Sequence, residues 1–304
     1  MISIKRILCP VDFSDCAQRA LDHAVALAKW YHARLAVLHV HRLPVPVAMA
    51  TPGIVPSELL PIPLTPEERA QLSAALESLV SSPRLAGPHI DTFLDEDMNV
   101  AGSIVRRAES LPADLVVIGT HGRSGFERFM LGSIAEKVLR GATCPVLTVP
   151  PHCDPEAVHH PSLFPQILCP LDFSKASTRA LEYASSLAHD AGAHVTLVHV
   201  VDLPEEMPEP GAPDLSGYRT ARFKAVEHAL ESAAAAMRNG NHVSQRILTG
   251  KPYREILRVA GELEPDLIVM GVQGRSAIDL GFFGSTTQHV VRRASCPVLT
   301  LKAL

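Results

Sequence analysis

Two glycine-rich segments of this 304-residue sequence share one spacing, and their residue types could hold a phosphate group. The first has glycines at 119, 122 and 132 followed by Ser133, and the second has glycines at 271, 274 and 284 followed by Ser285. Glycine lets backbone amides approach an anion, and a helix beginning at the serine would present free N–H groups. A single motif of this kind is more often a simple turn and helix cap. Because both copies keep the same nine-residue gap, we interpret them as phosphate-binding loops.

Two aspartates could face these glycine loops. Asp12 and Asp172 each follow a short apolar run that is typical of a buried strand. In a parallel sheet of order 3-2-1-4-5, ligands bind where the order reverses, beyond the carboxyl ends of strands 1 and 4. The aspartates could bind ribose hydroxyls there or support a phosphate-bound metal ion. The alternative is that each caps the next helix or fixes a turn.

An internal repeat organises the elements that must position these residues. The segment Ile7-Leu8-Cys9-Pro10-Val11-Asp12-Phe13-Ser14 recurs 160 residues later with one change, Val11 to Leu171. The segments at 114–119 and 144–148 recur 152 residues later. The second copy is therefore eight residues shorter after its second strand, where the first copy has a proline-rich loop at 43–66 and the second has one at 202–214.

Within each copy, apolar runs of strand length alternate with helical periodicity. In the first copy the predicted strands are 4–10, 35–40, 89–94, 114–119 and 144–149, and the predicted helices are 17–31, 66–81, 100–110 and 133–140. This alternation predicts two tandem doubly wound α/β domains, each a five-stranded parallel sheet of order 3-2-1-4-5 with helices on both faces. We expect a first domain at 1–150, a linker at 151–164 and a second domain at 165–304.

Composition excludes several classes of protein. Hydrophobic residues make up 47% and charged residues 20%, which is typical of a folded chain, and the formal charge of −4 gives no general reason to expect nucleic acid or an anionic membrane as partner. No apolar run approaches the length of a membrane span, and Asp12 comes too early for a signal peptide, so a cytoplasmic location is expected. The six cysteines show no C-x-x-C pair and are expected to be reduced and mostly buried, without structural zinc. No haem or flavin is expected.

Both copies resemble the universal stress protein family in its tandem-domain form. The ATP-binding members of that family carry G-x-x-G, nine residues and then G-[ST], and both copies match this pattern. The resemblance covers nearly the whole chain and lapses in the proline loops and in the linker near residues 151 to 164. It implies that each aspartate contacts a nucleotide, that the backbone at the end of the second strand holds adenine, and that the glycine loop surrounds ribose and phosphates.

By this resemblance the first nucleotide site consists of Pro10, Val11, Asp12, Val40, Gly119, His121, Gly122, Arg123, Gly132, Ser133 and Ile134. The second consists of Pro170, Leu171, Asp172, Val200, Gly250, Gly271, Gln273, Gly274, Arg275, Gly284, Ser285 and Thr286. The expected ligand is ATP or a related adenine nucleotide, with Mg²⁺ as a candidate companion and no metal site formed by protein alone.

One departure from the family pattern separates the two sites. The family's G-x-P after the third strand is present as Gly250-Lys251-Pro252, whereas the first copy has Met98-Asn99-Val100 at the 152-residue offset. An acidic stretch at 95–97 precedes it and is expected to repel phosphates. The second site is therefore expected to be the better occupied.

Three functions are compatible with the sequence. The loops lack the lysine of G-x-x-x-x-G-K-[ST], and no residue is evidently placed to activate a water molecule, which favours a nucleotide-binding stress regulator or sensor with little hydrolysis. The alternatives are a slow ATPase or phosphate-transfer enzyme, and a nucleotide-free protein-interaction module. The apolar fifth strands, near 146–149 and 298–301, would be exposed edges unless they pair. We therefore expect an intramolecular pseudo-dimer, with a homodimer of chains and protein partners of unknown identity left open.

Overall fold

A computed structural model describes residues 2–44, 61–122, 131–153, 163–202, 216–237, 242–272 and 284–303. Much of both proline-rich loops, and part of each glycine loop, lie outside these ranges. Among the described residues, no helix has the length and apolar character needed to cross a membrane.

Each half of the chain alternates strands and helices, as predicted. The first half contains β1 (Arg6–Pro10), α1 (Asp15–Tyr31), β2 (Arg34–Arg42), α2 (Pro66–Val80), β3 (Ile90–Asp97), α3 (Val100–Ser110), β4 (Leu115–Gly119), α4 (Ser133–Gly141) and β5 (Val146–Val149). The second half contains β6 (Gln166–Pro170), α5 (Lys175–Ala191), β7 (His194–Val201), α6 (Ser216–Met237), β8 (His242–Thr249), α7 (Pro252–Leu263), β9 (Leu267–Gly271), α8 (Ser285–Arg293) and β10 (Val298–Leu301).

Matched serines begin the first helix of each half. The Ser14 hydroxyl accepts a hydrogen bond from the Ala17 amide, and the Ser174 hydroxyl accepts one from the Ser177 amide, both at 3.2 Å. These bonds satisfy amides that have no partner within the helix. The start of α1 and of α5 is thereby fixed directly after the turn that contains Asp12 or Asp172.

The ten described strands form one sheet rather than two separate ones. Its order is β3-β2-β1-β4-β5-β10-β9-β6-β7-β8, so each half has the predicted order 3-2-1-4-5. The pairs within each half are parallel, and β5 pairs with β10 antiparallel, with Leu147 opposite Leu299. The two fifth strands therefore cover each other's edges within the chain, as expected for a pseudo-dimer.

Helices cover both faces of this sheet, and each face carries a core that continues across both halves. On one face α1, α2, α5 and α6 pack on a core that includes Leu35 and Leu197. On the other face α3, α4, α7 and α8 pack on a core that includes Val116 and Ile268. The two halves therefore share their hydrophobic cores.

The cysteines lie mainly in this interior. All but Cys144 are buried, and none of the six forms a disulfide. Burial raises the pKa of the Cys169 thiol to about 12, so this thiol stays protonated near neutral pH. The burial agrees with the prediction that the thiols lie mostly in the interior.

Candidate functional site

A strained turn follows the first strand of each half. Phe13 and Phe173 have φ of +63° and +61°, a left-handed conformation that is uncommon for bulky residues. Just before them, Asp12 Oδ1 accepts hydrogen bonds from the Ser14 amide at 3.1 Å and the Ser14 hydroxyl at 2.5 Å. Asp172 Oδ1 accepts one from the Ser174 amide at 3.0 Å. Both aspartates therefore have the turn-fixing contact that was the alternative to a ligand role.

Gly122, at the start of the first glycine loop, lies against Asp12. A Cβ atom added to Gly122 would stand 2.7 Å from Asp12 Oδ2, so a side chain there would displace the carboxylate. The Gly132 amide donates to the Thr120 carbonyl at 2.7 Å, which brings the end of the loop back beside its start. In the second half the Gly284 amide donates to Val272 in the same way, at 2.9 Å.

The glycines that end β4 and β9 have a packing role. A Cβ on Gly119 would meet Cys16 Sγ at 2.8 Å, and one on Gly271 would meet the Ala176 carbonyl carbon at 2.7 Å. Only glycine allows the first turn of α1 or α5 to approach the strand end this closely. These glycines thereby keep each helix beside the site.

The backbone at the end of β2 is turned toward the site. The Leu38 carbonyl accepts from the Val11 amide at 2.8 Å, so even-numbered residues of β2 bond toward β1. The Leu43 amide donates to the Asp97 carbonyl at 3.1 Å, so odd-numbered residues bond toward β3. Val40 is therefore turned toward β1, just beyond the point where β1 ends, and its N–H and C=O groups face the switch point.

The same alternation holds in the second half. The Leu171 amide donates to Val198 at 2.8 Å, and the Gly250 amide donates to Val201 at 3.2 Å, so Val200 is turned toward the end of β6. His199 Nδ1 bonds the Leu171 carbonyl at 2.7 Å, and its ring stacks on Phe173. The carbonyl that would continue the β6–β7 ladder is thus bonded by a side chain.

His39 makes the equivalent contacts in the first half. Its Nδ1 lies 2.8 Å from the Val11 carbonyl oxygen, and the centroid of its ring lies 4.8 Å from that of the Phe13 ring. Since a carbonyl is an acceptor, His39 donates through Nδ1. The repeated histidines therefore fix the strained turn, which is a structural role.

In the second half these residues border a cleft of about 970 Å³ at the carboxyl edge of the sheet. Eight predicted site residues line it, namely Pro170, Leu171, Asp172, Val200, Gly271, Gly284, Ser285 and Thr286. The structure adds lining residues that were not predicted, including Phe173, Asp202, Arg222, Ala225, Val226, Ala229 and Tyr253. Arg123, Gln273, Gly274 and Arg275 were predicted but lie outside the described residues.

The start of α8 in the second half favours an anion more than the matched start of α4 in the first half. The first turn of α8 contains no acidic residue, and the cleft beside it is lined by Lys251 and Arg222 together with Asp172 and Asp202. In the first half, Glu136 lies in the first turn of α4. The exposed Ile134 stands where α8 has Thr286, so that position lacks a hydroxyl that could contact a phosphate.

The acidic stretch after β3 differs from the expectation of a free negative patch. Arg107 pairs with Asp95, Arg69 with Glu96, and Arg106 with Asp97. The three carboxylates are therefore largely neutralised, and repulsion of phosphates by this stretch is weaker than predicted. The difference between the halves depends more on Lys251, Arg222 and the helix starts.

The strand registers also refine the comparison of the two third strands. Leu35 pairs with Ile90, and the matched Val195 pairs with Val243, so β3 and β8 align at an offset of 153 rather than 152. Gly250 therefore corresponds to Asp97, and Met98 is an extra residue before α3. Gly250 itself does not line the cleft. Its φ of +141° lets the chain turn so that Lys251 and Pro252 do.

Comparison with known proteins agrees with this architecture. A family model described as "Universal stress protein family" matches residues 3–150 and again 164–302. A universal stress protein of Methanocaldococcus jannaschii is 37% identical over 147 residues, which is 48% of this chain and 81% of that protein. One from Synechocystis is 24% identical across 98% of this chain and 100% of its own length. The crystal structure of a universal stress protein from Archaeoglobus fulgidus covers all of both chains with a TM-score of 0.67 and 24% identity.

Proposed function

The chain belongs to the universal stress protein family, and from this premise we propose that it is a regulator or sensor that binds ATP or a related adenine nucleotide. The observation that carries the proposal is the cleft of the second half, where Asp172, the end of β7 and the start of α8 border one space. Clefts at the switch point of a parallel sheet are the usual ligand sites of doubly wound folds.

Each part of a nucleotide has a matching part of the cleft in this proposal. Adenine would lie against the backbone of Val200, the ribose hydroxyls would bond Asp172, and the phosphates would meet the amides at the start of α8 together with Lys251. A magnesium ion entering with the phosphates would take oxygen ligands, for which the carboxylate of Asp172 is suited. The first half would form a second, weaker site around Asp12 and Gly122.

We propose binding with little hydrolysis. The ring of His199 is held by the Leu171 carbonyl and by Phe173, and Asp172 Oδ1 accepts from the Ser174 amide. Both side chains thus already serve the turn after β6, which does not favour a role in activating water. ADP release faster than about one turnover per second would contradict this part of the proposal.

The first experiment identifies the ligand. The purified full-length protein is denatured, and any released nucleotide is identified and counted by chromatography and mass spectrometry. Added ATP with Mg²⁺ should also raise the melting temperature of nucleotide-free protein. If no nucleotide is released and ATP causes no shift, the nucleotide-free interaction module becomes the better account.

A matched pair of variants tests which half dominates. Thr286→Glu places a carboxylate at the start of α8, and Ile134→Glu places one at the same position of α4. Repulsion of phosphates should lower ATP affinity at least tenfold for Thr286→Glu in calorimetric titration. Ile134→Glu should remove only a weaker second binding event. The reverse order would contradict our ranking of the sites.

A further inference from the structure

An aromatic side chain borders the second cleft beside a cationic residue of its rim. Tyr253 is the second residue of α7, and it lines the cleft together with Lys251, the N-cap of the same helix. Lys251 and Pro252 belong to the turn that follows β8, whereas Asp172 belongs to the turn that follows β6. The cleft therefore has an aromatic wall on an element other than the one that carries the proposed ribose contact.

Neighbouring side chains hold the Tyr253 ring in place. His289 of α8 stacks on it with 4.2 Å between ring centroids and 24° between planes. Arg254 Nε donates to the tyrosine hydroxyl at 3.2 Å. The guanidinium groups of Arg254 and Arg293 lie 5.9 and 6.0 Å from the ring centroid. Tyr253 lines the cleft, and none of these three neighbours does.

Two cationic side chains accompany this ring. Lys251 is two residues before Tyr253, and Arg222 lines the cleft from α6. Positive charge is thus available for a phosphate chain longer than the start of α8 alone would hold. The cleft volume of about 970 Å³ is at the upper end of the usual range for small-molecule sites, about 300–1,000 Å³.

The first half lacks this arrangement. Ala101 is the second residue of α3, where α7 has Tyr253, and Lys137 occupies the α4 position that matches His289 in α8. Ala101 is buried. The aromatic wall is therefore a feature of the second cleft and is not required by the fold that both halves share.

We propose that the second cleft accepts nucleotides whose phosphate chain ends in a second planar heterocycle, and that this far ring stacks on Tyr253. Dinucleoside polyphosphates and dinucleotide cofactors both have this chemistry. Any nucleobase can stack on an aromatic side chain, because every base has a π-face. The inference rests on the proposed adenine-nucleotide function of the same cleft.

The test compares three probes by calorimetric titration of the full-length protein: ATP, diadenosine tetraphosphate and NAD⁺. Wild type is compared with Tyr253→Ala and Tyr253→Phe. Loss of stacking should lower the affinity of Tyr253→Ala for diadenosine tetraphosphate about tenfold or more. ATP affinity should change less than twofold. Tyr253→Phe keeps the ring and should bind all probes as wild type does, and circular dichroism checks that both variants are folded.

The outcomes separate the two proposals. If Tyr253→Ala loses affinity for diadenosine tetraphosphate alone, the ligand is one with a long phosphate chain. If it also loses affinity for NAD⁺, the cleft accepts the wider dinucleotide class. If Tyr253→Ala changes the affinity for ATP and both dinucleotides equally, or changes none of them, the stacking proposal is wrong while ATP binding stands. If wild type binds none of the three probes, the proposed function fails, and the stacking proposal fails with it.

Discussion

Gly250 makes the turn that brings Lys251 and Pro252 to the cleft, and its backbone conformation excludes other residues. Its φ is +141°, and an added Cβ would lie 3.3 Å from Glu255 Cγ. We expect Gly250→Ala to lower the free energy of unfolding by about 1–3 kcal/mol, the usual cost of a backbone conformation of this kind. Urea unfolding followed by circular dichroism measures this change.

Gly261 provides the control for that substitution. It lies inside α7, and an added Cβ would have nothing within 4 Å. Because alanine is the better helix former, Gly261→Ala should raise the free energy of unfolding by about 0.5–1 kcal/mol. Equal effects at both positions would show that the turn at Gly250 is not strained by a side chain.

Most of the predicted residues that line the cleft stand where the two copies agree. Asp172, Ser285 and the glycine that ends β9 were found because a matched residue stands in the first copy. Arg222 and Tyr253 have no such partner, so the repeat gave no signal for them. They reach the cleft because α6 and α7 border it, which depends on tertiary packing rather than on local sequence.

At the scale of elements, the cap of α5 determines how the turn after β6 is held. The Ser174 hydroxyl accepts from the Ser177 amide, and the Ser174 amide donates to Asp172. Ser174→Ala should cost about 1 kcal/mol of unfolding free energy, and Ser174→Gly only a few tenths, because glycine is tolerated at an N-cap. Thermal and urea unfolding of both variants would test this. A larger loss for glycine than for alanine would mean that Ser174 acts as an interior helical residue.

The elements themselves were mostly predictable, and β3 shows where the sequence was insufficient. Alternating apolar runs gave all ten strands, but β3 was expected to end at residue 94 and extends to Asp97. Three consecutive acidic residues do not resemble a strand. They continue it because Arg107, Arg69 and Arg106, from α2 and α3, pair with their carboxylates. Contacts between elements that are distant in the chain cannot be deduced from a local pattern.

At the scale of the whole molecule, a buried histidine of α1 contacts the start of the segment that links the two halves. His23 of α1 bonds the Arg19 carbonyl through Nδ1 at 2.9 Å, and its Nε2 lies 3.7 Å from the thiol of Cys153, which follows β5. Burial lowers the pKa of His23 below its ordinary value of 6.5. The unfolded chain therefore binds a proton at a higher pH than the folded chain does.

This difference makes stability depend on pH. The contribution of neutral His23 is complete above about pH 6.5 and is lost as the pH falls below that value, by at most about 1.4 kcal/mol per pH unit. His23→Gln should show a smaller loss of unfolding free energy between pH 7.5 and 5.5 than wild type. The same substitution at the exposed His228 controls for removal of one imidazole. If the unfolding free energy changes with pH equally in wild type and in His23→Gln, the prediction is wrong.

The continuous sheet and shared cores predict that both halves unfold as one unit. Leu147 and Leu299 meet across the β5–β10 pair, the Ile2 amide donates to the Ser186 hydroxyl at 2.7 Å, and Arg179 donates to the Lys302 carbonyl at 2.9 Å. Of these contacts, the first two join residues of different halves. Loss of packing in the second half should therefore destabilise the first.

The single tryptophan, Trp30, lies on α1 of the first half, so its fluorescence reports on the surroundings of that helix, whereas circular dichroism reports on both halves. Leu197→Ala truncates a fully buried side chain on β7 and should lower the free energy of unfolding by about 2–5 kcal/mol. If the halves are one cooperative unit, the urea midpoints of this variant from Trp30 fluorescence and from circular dichroism decrease by the same amount. Leu35→Ala, at an equally buried position on β2, calibrates the shift that a first-half substitution causes. The opposite result is a urea midpoint from Trp30 fluorescence that stays at its wild-type value in Leu197→Ala, with two transitions in circular dichroism. It would mean that the β5–β10 pair and the shared cores do not couple the halves.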